Sequence, residues 1–249
     1  MQKNTIFARM KKILAFFGVA LAALALSAKA DAQSVYGNFG LMTKNVWRGL
    51  ESAKTVTVLP EVGFEAGNFC VYALGAYALD DSYGEFDFGF TYTLGAFTLD
   101  VCDYFYPACA GDNPEDERFK FFNWNNSTTG HQLDVMLRFE PENVPIKAMI
   151  SCIPYGDDKK EDGSHNFSTY AQVGWYHDFE NENHLEFNVG ASLFASPLYE
   201  TESFGVNVLE LLYTKTFTFK SIEIPLGIQG VFNAVTCKPY LCFMAAIGF

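Results

Sequence analysis

The chain has 249 residues, a formal net charge of −12 and an apolar fraction of 49% that includes 25 Phe and 13 Tyr. So acidic a chain repels nucleic acid, because phosphate binding needs clustered cations, and no nucleic-acid partner is expected. The length suits one large all-β domain, and the aromatic load is high for a domain bathed in water on every side.

Residues 1–32 read as a secretory signal peptide. Lys3, Arg9, Lys11 and Lys12 precede the apolar run Ile13 to Leu26, and Ala28-Lys29-Ala30 and Ala30-Asp31-Ala32 offer small-x-small cleavage sites. The run is too short for a spanning helix, which needs roughly 20 apolar residues. Cleavage removes five of the 17 basic and one of the 29 acidic residues, leaving a formal charge of −16. Export through the Sec pathway is therefore expected, with residues 33–249 forming one domain.

Beyond residue 32, apolar and polar residues alternate with a period of two, the signature of strands with one buried face. About twelve strands are predicted, near residues 34–42, 57–66, 69–79, 85–94, 97–106 and 131–139, then 146–153, 168–179, 184–194, 205–215, 222–233 and 240–249. The clearest sets Phe86, Phe88, Phe90, Tyr92 and Leu94 against Glu85, Asp87, Gly89, Thr91 and Thr93. A strand with an aromatic stripe on one face and acids on the other needs an apolar medium on one side and water on the other. Tight joins such as Gly67-Asn68, Gly95-Ala96 and Glu180 to Asn183 alternate with long polar ones at 43–56, 107–130, 154–167 and 195–204. That rhythm is expected of a transmembrane barrel with short periplasmic turns and longer extracellular loops. In hydrocarbon every backbone N–H and C=O must be paired within the protein, so such a sheet must close on itself. The predicted fold is a single antiparallel transmembrane β-barrel in the outer membrane. Its last strand, from Tyr240 to the aromatic Phe249, has the form of a barrel-terminal signature and is the expected contact for the barrel assembly machinery.

After the first strand comes Asn45-Val46-Trp47-Arg48-Gly49-Leu50, and then Leu59-Pro60-Glu61-Val62-Gly63-Phe64-Glu65-Ala66-Gly67-Asn68-Phe69. An aromatic-Arg-Gly turn, a Pro-bearing strand and a Gly hairpin in this order resemble the TorF-type porin family of Gram-negative bacteria. Asn45 departs from the family's usual Tyr at that place. The resemblance implies a small porin-like outer-membrane barrel and carries no ligand with it.

The faces expected to turn inward carry Glu61, Glu65, Glu85, Asp87, Asp100, Asp134, Arg138, Lys147, Gln172, Glu186, Asn188, Glu210, Glu223 and Gln229, with acids outnumbering bases nine to two. A wet lumen so lined favours cations over anions. A packed lumen, in which Arg138 and Lys147 pair with neighbouring acids, is the alternative, because about twelve strands fall between the eight of usually filled barrels and the 16 to 18 of open ones. Arg48 is expected near the barrel mouth, as a selectivity or loop-anchoring residue or as a bridge between acidic loops. Loop acids such as Asp112 to Glu117 could meet lipopolysaccharide through divalent cations, although a solvated loop is the simpler reading. The aromatic segment Phe119 to Trp124 is placed in the outer girdle.

His165 and Ser168 bring to mind the His/Ser pair of lipid A deacylases, but their spacing puts them on opposite faces of a strand. His177 and His184 flank a tight turn without a third ligand. No catalytic residue, metal or cofactor is therefore expected. The six cysteines read as small apolar residues in preference to a full disulfide set. The expected function is passive diffusion of small solutes through a porin-like channel. The alternatives are a non-conducting structural or surface-interaction barrel and, less favoured, a lipid-modifying enzyme.

Overall fold

The computed structural model describes residues 33–220 and 222–248. The proposed signal peptide and the terminal Phe249 lie outside the described residues. Fourteen strands are found among those described. Their order along the chain is β1 (Gln33–Met42), β2 (Asn45–Trp47), β3 (Leu50–Ala53), β4 (Thr57–Ala66), β5 (Phe69–Ala78), β6 (Gly84–Leu94) and β7 (Phe97–Phe105), followed by β8 (His131–Phe139), β9 (Ile146–Gly156), β10 (Thr169–Phe179), β11 (Asn183–Ser192), β12 (Gly205–Phe219), β13 (Ile222–Asn233) and β14 (Lys238–Gly248).

Twelve of them form one closed antiparallel barrel in which β1 pairs with both β4 and β14. The seam holds on both sides of β1, where Phe39 faces Pro60 on β4 and Ile247 on β14. Closure leaves the ring without an exposed edge, the condition a sheet must meet in hydrocarbon and the one that stops so aromatic a sheet from pairing with its own copies.

The alternation read from the sequence decides which way each side chain faces. Outward rows include Phe88, Leu94, Leu99, Leu137, Val173, Leu211, Ile228 and Leu241, all exposed on the outer wall. Leu94 is 67% and Val173 60% exposed, levels costly in water at roughly 25 cal/mol per Å2 of apolar surface and favourable in lipid. Inward rows carry the acids, amides and tyrosines. Several inward tyrosines lie across glycines of the paired strand, so that the ring covers the gap left by the missing side chain. Tyr36 covers Gly63 and Tyr72 covers Gly89, where an added Cβ would stand 2.2 Å and 2.5 Å from the ring atoms.

The shortest joins, 67–68 and 95–96, lie at one end. There residues 67–68, 95–96, 140–145 and 180–182 connect neighbouring strands, β12 ends and β1 begins. The other end carries the joins 43–56, 79–83, 106–130, 157–168, 193–204 and 234–237. The first long join differs from the expected open loop. Its β2 and β3 pair only with each other, as a two-stranded hairpin apart from the ring, and this hairpin is what shapes the interior.

Candidate functional site: the lumen and its inserted hairpin

The β2–β3 turn is Arg48-Gly49, with φ of 47° and 80°. Positive φ at both central residues is the tightest hairpin geometry, and an Arg in this region is uncommon. Gly49 is required twice over, since an added Cβ would lie 2.0 Å from the Asn207 carbonyl oxygen. The Asn233 side-chain amide donates to the Gly49 carbonyl at 3.0 Å. The hairpin tip is thus seated against β12 and β13 inside the barrel.

Trp47 then spans the lumen. It meets Tyr104 edge-on at 5.7 Å and stacks on Tyr199 at 5.9 Å. On one side is the cluster of Tyr170, Tyr199, Val208 and Val231, and on the other that of Cys102, Tyr104 and Met136, and Trp47 packs against both. Arg48, expected near the mouth, binds a wall acid close to the long-loop end of β8 and a loop tyrosine. One guanidinium nitrogen donates to Asp134 Oδ2 at 2.7 Å and another to the Tyr199 hydroxyl at 2.6 Å. The guanidinium also sits 4.5 Å from the Trp47 ring and 4.9 Å from that of Tyr170. The Arg48 side chain is 6% and that of Asp134 0% exposed, so this ion pair is sealed from solvent, and its partner is a wall acid instead of a loop acid. Burial pushes the Tyr199 hydroxyl up to about 12, although Arg48 beside it pulls the other way.

The remaining inward cations are paired as well. Arg138 meets Asp100 at 2.5 Å and Lys147 meets Glu186 at 2.5 Å, which is the pairing expected of a packed lumen. With Arg48 added, the interior holds three cations where the sequence reading counted two. Four of the other predicted wall acids have hydroxyl or amide partners. Glu61 accepts from Tyr36 at 2.9 Å, Glu65 from Ser34 at 2.9 Å and Glu85 from Tyr83 at 2.5 Å. Glu210 accepts from Asn188 at 2.6 Å and from Gln229 at 2.7 Å. Asp87, by contrast, is buried with Oδ1 lacking any hydrogen-bond partner.

Beneath the hairpin lies a cavity of about 570 Å3. It runs from Trp47, Arg48 and Tyr104 down to Glu65, Cys70 and Thr91 beside the tight turns, and takes in Glu61, Asp87, Asp100 and Arg138. Arg138 and Met149 separate it from a smaller one of about 170 Å3, lined also by Lys147, Glu140 and Gln172. Six of the predicted lumen residues, Glu61, Glu65, Asp87, Asp100, Arg138 and Gln172, therefore share the main cavity. Lys147 lies in the smaller one, and Glu85, Asp134, Glu186 and Glu210 line neither. Sequence reasoning missed the hairpin's seat, formed by Tyr104, Tyr170, Tyr199, Asn207 and Asn233. The one available signal was Val46-Trp47, an apolar pair ahead of Arg-Gly in a stretch otherwise read as loop.

The long-loop end carries two further networks. On the outer wall His131 Nδ1 lies 2.7 Å from Asp103 Oδ2, and its Nε2 lies 2.7 Å from the Phe121 carbonyl. Phe121 packs on Phe105, and Trp124 stacks on His131 at 3.9 Å. The Phe119 to Trp124 segment accordingly lies against the outside of the barrel, where a girdle belongs. At the rim, the Ser168 hydroxyl donates to Asp158 Oδ1 at 2.6 Å and lies 2.6 Å from Ser196 Oγ. His165 Nε2 instead lies 2.8 Å from the Ile153 carbonyl. Ser168 and His165 do not form a nucleophile–base pair, and the network ties two loops together. His184 pairs with Asp178 at 2.6 Å, whereas His177 stacks on Trp175 on the outward face. Among the described residues Cys70, Cys102, Cys152, Cys237 and Cys242 form no disulfide.

No protein-family model and no curated protein matches the chain. Among solved structures, an outer membrane channel from Pseudomonas putida F1 aligns at TM-score 0.43 and 9% identity, over 88% of this chain and 96% of that one. The Acinetobacter baumannii protein OccAB3 aligns at 0.39 and 10%, over 90% and 66% of the respective chains. The outer membrane protein OpdK from Pseudomonas aeruginosa aligns at 0.36 and 10%, over 90% and 67%. Likeness at this level adds nothing to the fold that the hydrogen-bonded ring of strands already shows.

Proposed function

We propose that this protein is a porin-like outer-membrane channel of narrow bore, with the tight turns in the periplasm and the long loops outside. The observation that carries the reading is the acid-lined cavity of about 570 Å3 inside a closed, outwardly apolar barrel. A polar interior of this size within a lipid-facing wall serves a solute that must avoid hydrocarbon. Glu61, Glu65, Asp87 and Asp100 outnumber Arg48 and Arg138 along its wall, and rings of unbalanced acids favour cations.

The rest of the reading goes with this. Residues 1–32 act as the Sec signal, the strand ending at Phe249 engages the barrel assembly machinery, and the loop acids face lipopolysaccharide. Kinship with TorF-type porins rests on Trp47-Arg48-Gly49 and the Pro60-to-Gly67 strand. A second reading is favoured by the seated hairpin, since Trp47 packed against both walls makes a stopper and a stoppered barrel is non-conducting. Single-channel recording of refolded protein in planar bilayers separates the two. Discrete conductance with cation preference supports the channel, and silence across repeated insertions supports the stoppered barrel.

A further inference from the structure

The Asp103–His131 pair stands on the apolar side of the wall. Both residues belong to the outward rows of their strands, where Asp103 pairs with Phe88 and Leu133 and His131 pairs with Phe105. His131 is fully buried, and Asp103 is 8% exposed with Oδ1 lacking a hydrogen-bond partner. The loop after β7 covers them: Phe121 meets the His131 ring edge-on at 5.4 Å and Trp124 stacks on it. The imidazole is held between two oxygens, Asp103 Oδ2 at Nδ1 and the Phe121 carbonyl at Nε2, both at 2.7 Å. A carbonyl oxygen only accepts, so Nε2 carries hydrogen. A neutral imidazole then has a bare lone pair at Nδ1, which repels a carboxylate oxygen at that distance. One further proton between Nδ1 and Oδ2 removes the conflict, whichever atom carries it, and leaves the pair without net charge.

Nothing nearby makes good the loss of that proton. Phe105, Phe121 and Trp124 bring no ionisable group to the ring. Just beyond β9, Asp157 donates its backbone N–H to the His131 carbonyl at 2.8 Å, and its carboxyl lies in the field of Arg118 and Lys159. Asp87 on β6 adds negative charge within electrostatic reach of Asp103. Without the shared proton a negative charge stands beside Phe88, Phe105 and Leu133, which an apolar surround disfavours, and either the Asp103 or the Phe121 contact turns repulsive. We infer that this proton clasps the aromatic segment around Phe121 to the outer wall, and that the segment lifts off as pH rises. The release is local. The Trp124 carbonyl accepts from the Tyr155 hydroxyl, and Asn126 Oδ1 accepts from the Gly156 N–H at 3.2 Å, so the rest of the loop stays tethered.

The Lys120–Phe121 bond reports the clasp, since trypsin cuts a segment only when it opens locally. Detergent-refolded protein is digested briefly at about pH 6 and at about pH 9, on either side of the range in which an imidazole beside a carboxylate sheds its proton. Lys160, exposed in the neighbouring long join, supplies an internal rate that cancels trypsin's own pH dependence. Cutting after Lys120 relative to Lys160 should rise about tenfold at the higher pH, the scale of one lost hydrogen bond to a charged group. Asp103→Asn separates a shared proton from a merely structural contact. An Asn amide donates to a bare Nδ1 while Nε2–H still donates to the Phe121 carbonyl, so this variant should stay closed at both pH values. A flat relative rate in the parent overturns the inference. So does an Asp103→Asn protein that is cut faster than the parent at the lower pH, or that opens with pH as the parent does. If Asp103→Asn does not refold, nitrogen NMR of the parent decides: the His131 ring signals must shift over the interval in which cutting rises, and a constant ring overturns the clasp. Neither measurement depends on whether the barrel conducts.

Discussion

At the scale of single residues, the Arg48–Asp134 pair decides how firmly the lumen is stopped. Both side chains are shut away from water, so losing either leaves an uncompensated buried charge, a loss of about 3–5 kcal/mol. Arg48→Ala should therefore lower the urea stability of vesicle-inserted protein by that amount. Arg48→Met combined with Asp134→Leu should recover most of it, because a buried pair replaced by apolar groups of similar size is often neutral. An Arg48→Ala protein as stable as the parent would mean that the pair is hydrated. A second residue-scale test concerns Tyr72, which covers Gly89 while donating to Asp100 at 3.0 Å. Gly89→Leu forces the ring off its seat. Such overpacking should cost about 1–3 kcal/mol, read as a lower temperature for loss of the compact band in heat-modifiability electrophoresis.

At the scale of elements, the strands of the ring were legible in the sequence and the hairpin was not. Glu85 to Leu94 and His131 to Phe139 are long enough for the period of two to show, and tight turns such as Gly67-Asn68 mark where they stop. Asn45–Trp47 and Leu50–Ala53 are too short to show any period. What pulls them inward is distant in the chain: Asn207, Asn233, Tyr199 and Asp134. For the same reason the sequence could assign Arg138 and Lys147 to the wall but could not find Arg48's partner. Because β1 hydrogen-bonds directly to β4 and β14, the ring does not depend on the hairpin. Replacing residues 44–54 with a Gly-Ser connector, together with Asp134→Asn to avoid a stranded charge, should leave a folded barrel. Single-channel conductance should then rise several-fold above the parent or appear where the parent is silent. Unchanged recordings would show that the resistance lies elsewhere, for instance at the Arg138–Asp100 pair.

At the scale of the whole molecule, the outer wall and the lumen call for different solvents, and substitutions on the two should behave oppositely. Leu211 stands on β12 between Phe187 and Gly230, midway along the wall, and is 54% exposed. An Arg there must be held in hydrocarbon, at a cost of about 2–4 kcal/mol near the bilayer midplane. Gln172, two strands away on β10 and lining the lumen, has the Tyr170 hydroxyl as a polar neighbour. Leu211→Arg should therefore destabilise vesicle-inserted protein by that amount while Gln172→Arg stays within about 1 kcal/mol, in the range of ordinary hydrated substitutions. If the two cost the same, the outward row is not in lipid. The same contrast governs solubility. Without detergent the rows of Phe, Leu and Val on the outer wall have no apolar medium, so mature protein diluted into plain buffer should aggregate. A monodisperse monomer by light scattering under those conditions would mean that the barrel is a water-soluble one, and its lumen could not be a route across a membrane.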